Sequence, residues 1–144
     1  MKIIIDAMGG DHAPEAPVLG AIEAAKTYGS QITLVGRGED ILNVMKQNGI
    51  DTLPAGLEIA NAEDVVDMHD DPANVIRKKK NSSMVVGLRM LAEGQGAAMI
   101  SAGSTGAGAG AGGNGILQSH THGSGAKSEK SDEGLLHNYC ISIC

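Results

Sequence analysis

The chain contains no tryptophan and no phenylalanine, and Tyr28 and Tyr139 are its only tyrosines. Stacking of nucleic-acid bases on aromatic side chains is therefore excluded. Any core must come from Ile, Val, Leu, Met and Ala, as in helices packed on a parallel sheet. Cysteine is scarce as well. Cys140 and Cys144 both fall within the last five residues, which provides neither a disulfide framework nor a metal-ligand spacing. Basic side chains number 11 against 17 acidic ones, for a formal charge of -6. That balance argues against a protein that tracks a nucleic-acid backbone by neutralising phosphates. A local site for a small anion stays open. No run approaches the roughly 18 apolar residues of a membrane span, and the first residues read as a strand rather than a leader peptide, so a cytoplasmic location is expected. At 144 residues the chain suits a single domain with a real core.

Strand and helix signals alternate along the first part of the chain. Lys2 to Asp6 is a β-branched run that enters the glycine-rich loop Ala7-Met8-Gly9-Gly10-Asp11. Asp11 is expected to cap a following helix, with Pro14 and Pro17 in its first turn and Val18, Ile22 and Ala25 on one face up to Gly29. Gln31 to Val35 then reads as a strand, Gly36-Arg37-Gly38 as a turn, and Ile41, Leu42 and Met45 as the inner face of a second helix ended by Asn48-Gly49. Leu57 to Ala60 suits a third strand, and Glu63 to Pro72 a long loop. Ser82 or Ser83 caps a helix through about Glu93 with Met84, Leu88 and Leu91 inward, and Ala97 to Ser101 completes a fourth strand. The fold expected is α/β, a layered fold on a parallel sheet, with ligands at the carboxyl ends of the strands. After about Gly106 the sequence is dominated by Gly, Ala, Ser, Asn and charged residues, and little order is expected there.

The residues that follow the strands are the candidates for chemistry. Gly9-Gly10 allows close backbone approach and can present N–H groups to an anion, although it matches neither the P-loop nor the dinucleotide fingerprint. A plain tight turn and an anion site are equally compatible with it. Asp6 can orient a substrate or a neighbouring loop, and His12 can exchange a proton near neutral pH or simply be solvated. Ser101-Ala-Gly-Ser104-Thr105-Gly106 offers hydroxyls and backbone donors for an oxyanion or phosphate, or alternatively an N-cap. Arg77-Lys78-Lys79-Lys80 is the one dense basic run; it reads either as a solvated helix end or as cations facing phosphate and an acidic protein partner. His120 and His122 lack a third ligand at convincing spacing, so no metal site is expected.

Met1 to Pro14, MKIIIDAMGGDHAP, resembles the opening signature of the bacterial phosphate acyltransferase family. A second block, from Val75 through Ser83 to the stretch Ser101 to Ala107, is similar to that family in order and spacing. The resemblance implies a fold like that of isocitrate and isopropylmalate dehydrogenases, truncated here, in a homodimer with a cleft between two lobes. It implies transfer of an acyl group from acyl carrier protein to inorganic phosphate, without metal or redox cofactor, for phospholipid synthesis. A membrane glycerol-3-phosphate acyltransferase would consume the product, and the enzyme would be cytoplasmic with peripheral membrane association. By the same resemblance His12, Asp6 and Lys80 are catalytic, while Gly9, Gly10, Asp11, Ser82, Ser104 and Thr105 bind substrate.

The chain departs from the family pattern after Ala107, so residues 1–107 are assigned to the amino-terminal α/β portion and 108–144 to a divergent tail. Truncation or a frameshift is the expected origin of that tail, which makes the chain a fragment of the expected enzyme. Ser104 also stands where many relatives have Asn. Three readings follow: an acyltransferase using acyl carrier protein, an inactive remnant that binds phosphate or a partner chain, and a phosphotransacetylase-like enzyme using coenzyme A thioesters.

Overall fold

Gly9-Gly10 and Gly36-Arg37-Gly38 mark two points where a strand gives way to a helix. In the computed structural model, which describes residues 1–65, 78–103, 118–121 and 139–142, the strands Lys2–Asp6 (β1), Gln31–Gly36 (β2), Leu57–Asn61 (β3) and Ala98–Ser101 (β4) alternate with the helices Glu15–Tyr28 (α1), Gly38–Gln47 (α2) and Ser83–Ala92 (α3). Two short strands, Gln118–Thr121 (β5) and Tyr139–Ser142 (β6), extend the sheet. The order is β3-β2-β1-β4-β6-β5, and every neighbouring pair is parallel. The expected α/β class with a parallel sheet is thus observed. The remainder of the tail, and most of the expected loop from Glu63 to Pro72, lie outside the described residues.

Strand order dictates which face each helix covers. Steps from β1 to β2 to β3 move outward in one direction, and right-handed crossovers place both connecting helices on the same face. There, Val18, Ala21, Ile22 and Ala25 of α1 and Ile41, Val44 and Met45 of α2 pack on Ile32 and Leu34. The chain then crosses back past β1 to reach β4, so the same handedness puts α3 on the opposite face. Met84, Leu88 and Leu91 accordingly pack with Ile4, Val35 and Met99. Gly87 permits close approach of α3, since a Cβ there would lie 2.7 Å from Met99 Cε.

Two local expectations are corrected. Asp11 does not cap α1: the cap position is Pro14, no side chain accepts a hydrogen bond there, and Asp11 is exposed. The turn between Gly10 and Pro14, closed by the Ala13 N–H donating to the Gly10 carbonyl at 3.2 Å, delays the helix by one turn. In α2 the inner face is Ile41, Val44 and Met45, whereas Leu42 is 43% exposed. Helical spacing of three and four from Ile41 selects Val44 and Met45, and Leu42 lies beside that stripe.

These faces predict unequal costs of truncation. Leu91→Ala empties a fully buried position and is expected to cost about 2–5 kcal/mol, while Leu42→Ala should stay within about 0.5 kcal/mol of the parent. Urea unfolding of the two variants measures the difference, and equal losses would contradict the assignment of faces.

Candidate active site

Strand order reverses between β1 and β4, and the carboxyl ends of the strands at such a reversal are the usual ligand position in open parallel sheets. Register pairs Ile5 with Ile100, which brings Asp6 and Ser101, the next residues on the two strands, side by side. Asp6 is only 3% exposed. Its Oδ1 accepts the Met8 N–H at 3.0 Å, and its Oδ2 accepts the Ser101 hydroxyl at 2.8 Å. Ser101 Oγ in turn accepts the Gly103 N–H at 3.1 Å. A carboxylate taken this far from water needs donors on both oxygens, and this one has them.

Glycine lets the two loops meet over the strand ends. A Cβ on Gly9 would lie 2.7 Å from Asp6 Oδ2 and 2.9 Å from both Gly103 N and Ser101 Oγ. Gly10 has a φ of 102°, and a Cβ there would approach the Ala102 side chain to 3.1 Å. Among the described residues the N–H groups of Gly9 and Gly10 donate to no protein acceptor. Successive free amides at a strand end form a donor set suited to an anion.

The other sequence candidates occupy distinct places. Asp11 and His12 are exposed on the turn between Gly10 and α1. Lys80 is exposed, and its carbonyl accepts from Arg89 at 3.4 Å. Its neighbour Lys79 donates to the Val65 carbonyl at 2.9 Å, tying the segment before α3 to the end of the stretch after β3. Ser82 is fully buried and caps α3, with Oγ accepting the Val85 N–H at 3.3 Å. Ser104 and Thr105 lie outside the described residues. The structure therefore gathers Asp6, Gly9 and Gly10 into one contact group. Among the described residues no hydrogen bond joins Lys80 or Ser82 to it.

Ser101 opened the hydroxyl-bearing stretch that the sequence offered, but only Ser104 and Thr105 of that stretch were assigned to substrate. Its hydroxyl was visible at a strand end, but its partnership with Asp6, 95 residues away, depends on β1 and β4 being neighbours.

A family described as "Fatty acid synthesis protein" matches residues 1–118. The chain belongs to this family. Its relatives are phosphate acyltransferases, in agreement with the resemblance of the opening block. The Phosphate acyltransferase of Herpetosiphon aurantiacus is 46% identical over 107 residues, covering 74% of this chain and 28% of the relative. That of Heliobacterium modesticaldum is 48% identical over 107 residues, covering 74% and 32%. That of Desulforamulus reducens is 48% identical over 109 residues, covering 74% and 31%. The chain thus spans between 28% and 32% of the length of these relatives. In this member of the phosphate acyltransferase family, the opening Asp-Ala-Met-Gly-Gly-Asp block is the loop that meets Ser101 and Gly103. No helix among the described residues is long and apolar enough to cross a membrane.

The loop contact makes Gly9→Ala costly, because the atoms facing the new methyl include backbone N and a buried carboxylate rather than the end of a flexible side chain. A loss of about 1–3 kcal/mol is expected in urea unfolding. Stability equal to the parent's would show that the two loops do not touch.

Proposed function

We propose that the chain supplies the phosphate-binding wall of an enzyme that transfers an acyl group from acyl carrier protein to inorganic phosphate. The observation that carries this reading is the pair of N–H groups at Gly9 and Gly10 that meet no acceptor among the described residues, held at the strand-order reversal in a chain whose relatives are phosphate acyltransferases. Two phosphate oxygens accept from these amides, which leaves a third oxygen free to attack the thioester carbonyl carbon. The C–O bond forms as the C–S bond breaks, and the proton lost by hydrogen phosphate ends on the departing thiol. Orientation of phosphate before attack is the principal contribution of this wall.

His12, on the exposed turn beside Gly10, is the candidate to carry that proton. Asp6 acts on the loop rather than on substrate, since both of its oxygens already accept hydrogen bonds within the protein. By the family resemblance, Lys80 supplies a cation to the reaction, and Ser104 and Thr105 bind substrate. Asp11, exposed on the same turn, is the candidate to bind substrate beside His12. Ser82 serves phosphate indirectly by fixing the start of α3. The acyl-carrier side of the cleft comes from the remaining length of the relatives, in a two-lobed arrangement like that of isocitrate and isopropylmalate dehydrogenases, as a homodimer. The product feeds a membrane glycerol-3-phosphate acyltransferase, from a cytoplasmic enzyme that associates peripherally with the membrane.

A chimera tests this directly: residues 1–103 of this chain joined to the remaining part of the Heliobacterium modesticaldum relative, assayed for acyl phosphate from acyl carrier protein thioester and inorganic phosphate. Turnover is expected with the carrier-protein donor, and His12→Ala should lower kcat by about 10²-fold. Preference for coenzyme A thioesters would instead favour a phosphotransacetylase-like reaction. A folded chimera with no turnover, beside an active relative, would indicate that this chain is an inactive remnant.

A further inference from the structure

We propose that Ser101 is a positioning residue for phosphate, acting through Asp6 on the Gly9–Gly10 amides; the inference rests on the phosphate-binding reading above. The chain of contacts is continuous. The Ser101 hydroxyl donates to Asp6 Oδ2, which fixes the rotation of the carboxylate. With that rotation set, Asp6 Oδ1 faces the Met8 N–H and holds the backbone immediately before Gly9. Ser101 Oγ also lies 2.9 Å from the point where a Cβ of Gly9 would stand, so the same oxygen limits how far Gly9 can settle toward the sheet. Ser101 therefore constrains the loop in two ways, by a hydrogen bond relayed through Asp6 and by direct contact.

A hydroxyl suits this position better than any other small group. It donates to Asp6 and accepts from the Gly103 N–H at once. Alanine would leave one buried carboxylate oxygen without its donor and one amide without its acceptor. Ser101 is 2% exposed, so it acts on phosphate through the loop and not by contact.

The test uses the 144-residue chain and inorganic phosphate, with amide resonances of Gly9 and Gly10 followed by NMR during titration. Saturable shifts at both glycines are expected for the parent. Ser101→Ala should weaken phosphate binding about tenfold or more, the scale of a lost hydrogen bond to a charged group. Asp6→Asn should weaken it too, and the double variant should bind no worse than the weaker single one, because both substitutions interrupt one relay. Leu91→Ala, which destabilises the opposite end of α3 from its cap, serves as the control and should leave phosphate affinity unchanged below its melting temperature. Phosphate affinity in Ser101→Ala equal to the parent's would overturn the proposal. So would a loss in Ser101→Ala no greater than in Leu91→Ala, or the absence of phosphate-dependent shifts at Gly9 and Gly10 in the parent. Acyl transfer is judged separately by turnover of the chimera, so either idea can fail while the other stands.

Discussion

The contacts at the strand ends all depend on β1 lying between β2 and β4. With β2 on one side and β4 on the other, the connections leaving β1 and arriving at β4 serve opposite faces of the sheet. Side-chain alternation then turns Asp6 and Ser101 toward the face that α3 covers, in line with Ile4 and Met99. Immediately afterwards Ala7 and Met8 join the cluster beneath α1 and α2. The backbone therefore passes over the end of the sheet within a few residues. Gly9 and Gly10 stand at the end of that crossing, where the chain must also clear Ala102 and Gly103 of the neighbouring loop.

Such a crossing needs fixed points, and hydrogen bonds provide them. Ala7 N–H donates to the Val35 carbonyl at 2.9 Å, continuing the ladder to β2 for one residue beyond β1. Met8 N–H then turns to Asp6, and Asp6 to Ser101. The loop is thus tied to β2 at its start and to β4 one step later. A buried carboxylate is an expensive anchor unless both oxygens are matched, because removal of one partner leaves charge in a poorly hydrated place. The same property makes it a sensitive anchor.

The sequence revealed the elements well and their lateral order poorly. Met84, Leu88 and Leu91 fell on the inner face of α3, and Ser82 became its cap, because periodicity and capping are local properties. Leu42 was misplaced because the adjacent apolar pair Ile41-Leu42 was read as one face, whereas spacing of three and four from Ile41 selects Val44 and Met45. Asp11 failed as a cap because two prolines and a turn shifted the start of α1 toward Glu15. Gly9 and Gly10 were legible as a loop needing close approach, but what they approach was not. Pairing of β1 with β4 carries no local signal, and Ser101 acquires its role only through that pairing.

Where an anion would find donors follows from how the two helix starts near the strand ends are already satisfied. At α3 the Ser82 side chain accepts from Val85, and the Ser83 N–H donates to the Asp64 carbonyl at 3.2 Å. At α1, Pro14 and Pro17 have no N–H to offer, and Ala16 donates to the His12 carbonyl at 2.9 Å. Helix dipoles still add positive potential at both places. Directed hydrogen bonds are another matter, because few free amides remain on either first turn. Gly9 and Gly10, whose N–H groups meet no acceptor among the described residues, are left as the backbone donors at the strand-order reversal, and their direction is set by the carboxylate two residues before Met8 and by the hydroxyl that holds it. Backbone donors at the helix ends are thus consumed by capping, whereas those of the loop have a geometry imposed from the adjacent strand.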